Sequence, residues 1–290
     1  MSVRSGFPGE RISVLARPRV TEALRHPVTA RLVVTDCGYF PTAVDHLRSR
    51  AGGCPQAIVI LCVDGHGWCE IKGVSHPVSA GQALVVPAKT PHVYGASQQA
   101  PWTIWWLHVE GEDVASLLQA NGFGAASPVL SVSNLLQAVS LVEEALLAME
   151  RDDSPATLQA AAGAAWHLLA ILSTARSGAS SVGRSDPVRT TIAHLQRRFA
   201  ERVSVAELAD LAGLSPSYFS ALFRKATGCG PREYQTRLRM MKSRQLLDTT
   251  DLSISAVARA VGYDDPLYFF RQFRSIHGIT ASEHRARAKG

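Results

Sequence analysis

An internal repeat near the C-terminal end constrains this 290-residue chain more than any other feature. Residues 204–228 read SVAELADLAGLSPSYFSALFRKATG, and residues 253–278 read SISAVARAVGYDDPLYFFRQFRSIHG. Ser204, Ala209 and Gly213 match Ser253, Ala258 and Gly262 at an offset of 49. Tyr218, Phe219, Phe223, Arg224 and Gly228 match Tyr268, Phe269, Phe273, Arg274 and Gly278 at an offset of 50, so the second copy carries one extra residue in its turn. A pattern kept at fixed spacing is one supersecondary unit used twice.

Each copy has the parts of a helix-turn-helix. A first helix, expected over 205–212 and 254–261, offers a small Ala where two helices cross, and the Gly after it suits a left-handed helix end. Ser215 or Asp264 then supplies an oxygen to cap the next helix, and Pro216 suits its first turn. Aromatic residues at i and i+4, Phe219 with Phe223 and Phe269 with Phe273, have core spacing. In such units the second helix enters the DNA major groove and its early residues meet base edges. Helical hairpins of this composition also occur in plain α-bundles. Two copies in register, joined by a helix-length segment over 231–249, weigh against that reading.

Charge points the same way. Residues 184–290 hold 18 Lys and Arg against 10 Asp and Glu, a net of +8, while the rest of the chain is at −2. A basic module beside a near-neutral one implies a polyanion partner for the basic module. The length suits two domains of roughly 100–200 residues. No uninterrupted apolar run reaches the ~18 residues of a membrane span, and residues 1–10 lack the apolar segment of a secretory signal. The expectation is a cytoplasmic protein with no membrane partner. Cys37, Cys54, Cys62, Cys69 and Cys229 are odd in number and include no C-x-x-C pair, so neither a disulfide framework nor a zinc site is expected.

Residues 31–110 read as β. Segments 57–63, 67–71, 83–87 and 102–109 are short, rich in β-branched and aromatic residues, and separated by Gly, Pro and Asp. Asp64-Gly65 is a hairpin signal. Many short strands suggest a sandwich or barrel. After about residue 131 the chain turns helical: 134–149 and 155–175 are rich in Ala and Leu, with Ser154 a cap and Pro155 a first-turn residue. Leu135, Val139, Val142 and Leu146 follow three/four spacing. They are expected either to support a homodimer or to pack within the subunit. Residues 176–187, RSGASSVGRSDP, form the best linker candidate.

The motifs of the last hundred residues carry a resemblance. Ala209–Gly213, Leu214-Ser215, Tyr218-Phe219, Leu222-Phe223, Gly228, Arg239, Leu246-Leu247, Ile254, Ala258, Val261-Gly262-Tyr263, Tyr268-Phe269, Phe273 and Gly278 resemble the DNA-binding domain of AraC/XylS-type regulators over roughly 188–287. The resemblance implies a seven-helix domain gripping adjacent major-groove segments of double-stranded DNA, and contact with RNA polymerase. Ala281 and His284 depart from the family's usual Pro and aromatic residue, ahead of the usual Arg at Arg285.

On the first recognition helix, Tyr218, Phe219, Leu222 and Phe223 have core spacing. Ser217, Ser220, Ala221, Arg224 and Lys225 are then outward. The short ones are limited to hydroxyl or methyl contacts, and the cations suit phosphates. On the second, Pro266, Leu267, Phe270 and Arg271 are groove candidates. Arg271 is the best base reader, since Arg pairs with guanine O6 and N7. Arg274 is directed to the backbone.

Residues 81–111, GQALVVPAKTPHVYGASQQAPWTIWWLHVEG, resemble the second half of the cupin-type sensor domain found in many such regulators. In the arabinose-sensing member an Arg, a Tyr, a Trp, a His and a Thr contact the sugar. By position these fall on Arg50, Tyr94, Trp106, Ile104 and the vicinity of Cys37. The cation and aromatic floor are kept and two polar contacts are lost, so the resemblance implies a small polar effector, a sugar or a small carboxylate, rather than arabinose itself.

The rival is a metal-dependent cupin enzyme. His66, His76, His92 and His108 include no H-x-H pair, and no catalytic triad or phosphate loop appears. An architectural DNA binder without a ligand is a third reading. The sequence therefore leads to a non-enzymatic α+β protein without cofactor. It has a cupin-like β-barrel sensor over 1–130, a helical pair over 131–175, a linker over 176–187, and an all-α domain with two helix-turn-helix units over 188–290.

Overall fold

The alternation of inward and outward side chains along short strands builds the first of two units, Met1–Ser181. The computed structural model describes residues 5–132, 134–179 and 187–289. The strands of this unit are β1 (Arg11–Val14), β2 (Val33–Phe40), β3 (Leu47–Arg50), β4 (Ala57–Asp64), β5 (His66–Ile71), β6 (Val74–Ser79), β7 (Gln82–Val86), β8 (His92–Ala96), β9 (Thr103–Glu110) and β10 (Val129–Ser131). Helix α1 (Arg17–Ala23) follows β1, and α2 (Val114–Ala120) follows β9.

Two antiparallel sheets result, in the orders β1-β2-β9-β4-β7-β10 and β3-β8-β5-β6. Their facing sides share one apolar core. Ile58, Ile60 and Cys62 of β4, Leu84 and Val86 of β7, and Ile104 and Trp106 of β9 meet Cys69 and Ile71 of β5 and Tyr94 of β8. The four expected strands are present within a residue at each end.

Asp64-Gly65 is not a hairpin. It joins β4 in one sheet to β5 in the other, so it is a corner. Strand β4 pairs with β7 and β9, which leaves it no edge for β5. The hairpin lies at Lys72-Gly73, where φ values of 53° and 76° fit a two-residue primed turn between Ile71 and Val74.

Helices α3 (Leu135–Arg151) and α4 (Pro155–Ala179) pack on each other and on the outer face of β2. Asn134 caps α3 through the Gln137 N–H, and the Ser154 hydroxyl accepts from the Thr157 N–H ahead of Pro155. By length and hydropathy the segment Pro155–Ala175 would suffice to cross a membrane. Here its apolar residues Leu158, Ala165, Leu168, Leu169 and Leu172 are spent on the core. Helix α4 takes the first four residues of the expected linker, and residues 180–186 of that linker lie outside the described residues.

The second unit, Val182–Gly290, holds seven helices among its described residues. They are α5 (Pro187–Arg197), α6 (Val205–Ala212), α7 (Pro216–Thr227), α8 (Pro231–Thr249), α9 (Ile254–Ala260), α10 (Pro266–His277) and α11 (Ala281–Lys289). Ser204 and Ser253 cap α6 and α9 by accepting from backbone N–H groups three residues on. Gly213 ends α6 in the left-handed region, as expected.

The caps of the two second helices differ from expectation. The Ser215 side chain makes no cap bond. In the second copy Asp265, not Asp264, accepts from the Leu267 N–H at 2.8 Å, and Asp264 instead pairs with Arg202. The extra turn residue shifts the capping position by one, onto the residue before Pro266.

Helix α8 ties the repeats together. From it Gln235 and Arg239, one turn apart, reach the carbonyls that follow α5: Gln235 Nε2 donates to Phe199 O and Glu201 O, and Arg239 donates to Phe199 O, Ala200 O and Glu201 O. At α11, His284 Nε2 lies 2.7 Å from the buried Asp248 carboxylate of α8. Its ring also packs edge-on against Phe273. His284 thus carries both an aromatic contact and a polar one.

Candidate functional site

In the N-terminal unit, strand register brings a polar set into the apolar interior. Arg50 Nη1 donates to the Tyr94 hydroxyl at 3.1 Å, with the guanidinium carbon 5.8 Å from the ring centre. Burial, opposed by the Arg50 charge, raises the Tyr94 phenol above its ordinary value, so it keeps its proton. Trp106 lies across Gly38, its register partner on β2. A Cβ at Gly38 would sit 2.8 Å from the indole, so only glycine lets the ring lie flat on the strand. Ile104 is buried beside it and adds apolar floor.

Residues that sequence reasoning did not place in this interior complete the set. His46, from the loop before β3, packs against Phe40, Phe7 and Tyr94. Its Nδ1 accepts from Trp102 Nε1 at 3.2 Å. Indole is only a donor, so neutral His46 carries its proton on Nε2. Burial, with help from Arg48 and Arg50, pulls His46 down to about 4, which keeps it neutral near pH 7.

His92 stacks on Tyr94, and its Nδ1 lies 2.7 Å from the Thr90 carbonyl. A carbonyl only accepts, so Nδ1 is the donor and Nε2 is bare in the neutral ring. Burial also lowers His92. Three nitrogens then end buried without a partner: His46 Nε2, His92 Nε2 and Trp106 Nε1. His108, on the same face of β9 as Trp106, pairs with Asp36 at 3.3 Å. No sequence spacing marks His46 or Asp36, because only non-local strand pairing brings them here.

The position near Cys37 is corrected. Cys37 lies on the outer face of β2, its sulfur 3.6 Å from Met149 of α3, so it cannot reach the interior. No group of three or more His, Cys, Asp or Glu side chains able to hold a metal occurs among the described residues. The helical residues Leu135, Val139, Val142 and Leu146 are all buried within the subunit. That burial is the packing role, one of the two expected of them. Leu147, on the other side of α3, is 49% exposed.

In the C-terminal unit, Ser217, Ala221, Arg224 and Lys225 of α7 are exposed and Ser220 is half-buried. The Ser220 hydroxyl donates to the Pro216 carbonyl at 2.8 Å, so its proton is already in use. Tyr218 corrects the expected core pattern: Phe219 and Phe223 are fully buried, but Tyr218 is 59% exposed. On α10, Leu267, Phe270, Arg271 and Arg274 are exposed and Pro266 is half-buried. Phe269 and Phe273 are buried on the opposite side, and the Arg271 guanidinium lies 5.9 Å over the Tyr268 ring.

Comparison with known proteins agrees with this two-part build. An AraC-like ligand-binding domain matches residues 36–169, and a helix-turn-helix domain matches residues 208–287. The chain belongs to the AraC family of transcription regulators. This AraC-type regulator is 28% identical over 275 residues to the MmsAB operon regulatory protein of Pseudomonas aeruginosa, covering 91% of the chain and 86% of that protein. It is 25% identical over 239 residues to the lactose operon transcription activator of Staphylococcus xylosus, covering 79% and 84%. Among solved structures it is similar to the DNA-binding domain of AdpA, a global transcriptional factor in complex with a target DNA. That match has 30% identity over 36% of this chain and 93% of the other, with a TM-score of 0.35. The regulator thus combines a DNA-binding helix-turn-helix domain with a ligand-binding domain.

Proposed function

We propose that this AraC-type regulator switches transcription in response to a small polar effector, a sugar or sugar-like compound, held in the interior of the N-terminal unit. One observation carries the reading: His46 Nε2, His92 Nε2 and Trp106 Nε1 are buried without partners beside the Arg50–Tyr94 pair. An unsatisfied buried polar group costs about 1–3 kcal/mol, so a ligand that hydrogen-bonds these atoms recovers that cost on binding. Arg50 and Tyr94 supply polar contacts, and Trp106 and Ile104 supply flat apolar surface, a combination that suits a sugar ring. A relative named for the lactose operon supports a sugar.

The effector shifts the population of states that differ in DNA affinity. The protein acts in the cytoplasm as a homodimer, through the outer face of α3 around Leu147, and contacts RNA polymerase. In the major groove, α7 contacts DNA through Ser217, Ser220, Ala221, Arg224 and Lys225. Helix α10 contacts it through Pro266, Leu267, Phe270, Arg271 and Arg274, with Arg271 on guanine.

Thermal unfolding of the full chain followed by tryptophan fluorescence, against a panel of mono- and disaccharides and sugar acids, tests the effector site. A saturable rise in midpoint with one compound, abolished in Arg50→Ala, is expected. A rise that persists unchanged in both Arg50→Ala and Trp106→Ala, or no rise with any compound, counts against the interior site.

A further inference from the structure

The two recognition helices carry different chemistry on equivalent faces. At the offset of 50, Ser217, Ser220 and Ala221 of α7 correspond to Leu267, Phe270 and Arg271 of α10. Residues three and four apart share one helix face, so Leu267, Phe270, Arg271 and Arg274 form a single row. That row lies opposite the buried Phe269 and Phe273. Leu267 is 67% exposed and Phe270 38% exposed. Large apolar side chains are exposed at seven positions among the described residues of this unit, and two of them, Leu267 and Phe270, stand one turn apart on this row.

An exposed apolar pair beside cations on one helix face suits a partner that offers both apolar and anionic groups. The charges on the same row limit what that partner is. Apolar groups come first along the helix, Arg271 follows and Arg274 comes last, which is the order a helix needs when its first turns meet base edges and its last turn meets phosphates. In the major groove the one apolar group on a base edge is the thymine C5-methyl.

We propose that Leu267 and Phe270 read thymine methyl groups, so that the half-site under α10 depends on thymine methyls more strongly than the half-site under α7, which offers them only the Ala221 methyl. This rests on the reading of α10 as a groove helix. On α7 the corresponding positions hold Ser217 and Ser220, and the Ser220 hydroxyl proton is engaged by Pro216. That helix presents only the Ala221 methyl in place of Arg271.

The test is selection of the full chain on a random-sequence DNA library, followed by replacing each thymine of the enriched site with deoxyuridine, which removes only the methyl. Burying one methyl is worth about a fourfold change in affinity at room temperature. The expected result is roughly fourfold weaker binding for one or two thymines in one half-site, and a smaller loss at any thymine of the other. Leu267→Ala or Phe270→Ala would lose that sensitivity, each binding the thymine and deoxyuridine sites alike. Both side chains are exposed, so neither variant threatens folding. An enriched site with no methyl-sensitive thymine, or methyl sensitivity that both variants keep, overturns the proposal and leaves sequence-specific binding intact. No enriched sequence at all overturns both.

Discussion

Arg239 Nη1 donates to the Gly262 carbonyl at 2.8 Å, and this bond joins the helix between the repeats to the turn of the second one. The same guanidinium holds Phe199, Ala200 and Glu201 through their carbonyls and lies 5.2 Å over the Tyr263 ring. Gly262 is as constrained as its partner. Its φ is +86°, and a Cβ there would stand 2.0 Å from the Ala200 carbonyl oxygen. Arg239→Lys keeps the charge and loses the fork that reaches four carbonyls. It is expected to destabilise the C-terminal unit by about 3 kcal/mol. Gly262→Ala is expected to cost at least as much. Urea unfolding followed by circular dichroism measures both, and an unchanged midpoint in Arg239→Lys would refute the clamp.

Acid should unfold the N-terminal unit before the ordinary carboxylates titrate. His46 is held at about 4 in the folded chain, against an ordinary value near 6.5, chiefly by burial. Between those values the unfolded chain binds a proton that the folded one refuses, so stability is complete above about 6.5 and is lost as pH falls toward 4. The full difference is worth roughly 3 kcal/mol. His92 and His108, also lowered chiefly by burial, act in the same direction. Burial raises Asp36, but hydrogen bonds from His108 and Thr35 outweigh it, so Asp36 adds its own loss only at lower pH. All five tryptophans lie before residue 170, so their fluorescence reports this unit alone. The melting midpoint should fall steadily from pH 7 to pH 4, and His46→Gln should flatten that slope.

The outer face of α3 offers a test of assembly. Val142 is fully buried and Leu147 is 49% exposed. Sedimentation velocity of Leu147→Asp is expected to show a folded monomer where the unmodified chain sediments as a dimer. Val142→Asp should instead lose tryptophan-monitored cooperativity, because it places an unpaired charge in the core, a cost of several kcal/mol. A folded dimer in Leu147→Asp would remove this face from consideration.

His284 and Asp248 should be coupled. The Asp248 side chain is 3% exposed and that of His284 is 12% exposed. His284→Phe keeps a ring against Phe273 but leaves the Asp248 carboxylate buried without that partner, at a cost of about 3 kcal/mol. Adding Asp248→Leu should recover much of the loss, a coupling measurable by a double-mutant cycle in urea. Additive losses would mean that the pair contributes nothing.

The sequence by itself placed α6, α8 and α9 to within a residue. Ser204 caps α6 and Gly213 ends it, while Pro216 and Pro231 open α7 and α8. A helix closes its hydrogen bonds within four residues, so its signals are local. The tandem repeat and the basic charge of residues 184–290 pointed to DNA for the same reason. Tertiary structure decided what depends on distant partners. Asp64-Gly65 carries a hairpin signature, yet β4 found β7 and β9, and the turn became a corner. Leu135, Val139, Val142 and Leu146 have the spacing of an interface, and α4 and the sheet claimed them. Tyr218 has core spacing and faces outward, since two aromatic residues per copy already fill the site. The interior set of His46, His92 and Trp106 comes from three separate segments, and only the pairing of β2 with β9 and β3 with β8 brings them to one core. Strand partners are chosen by packing across the whole sheet, which no local stretch of sequence encodes.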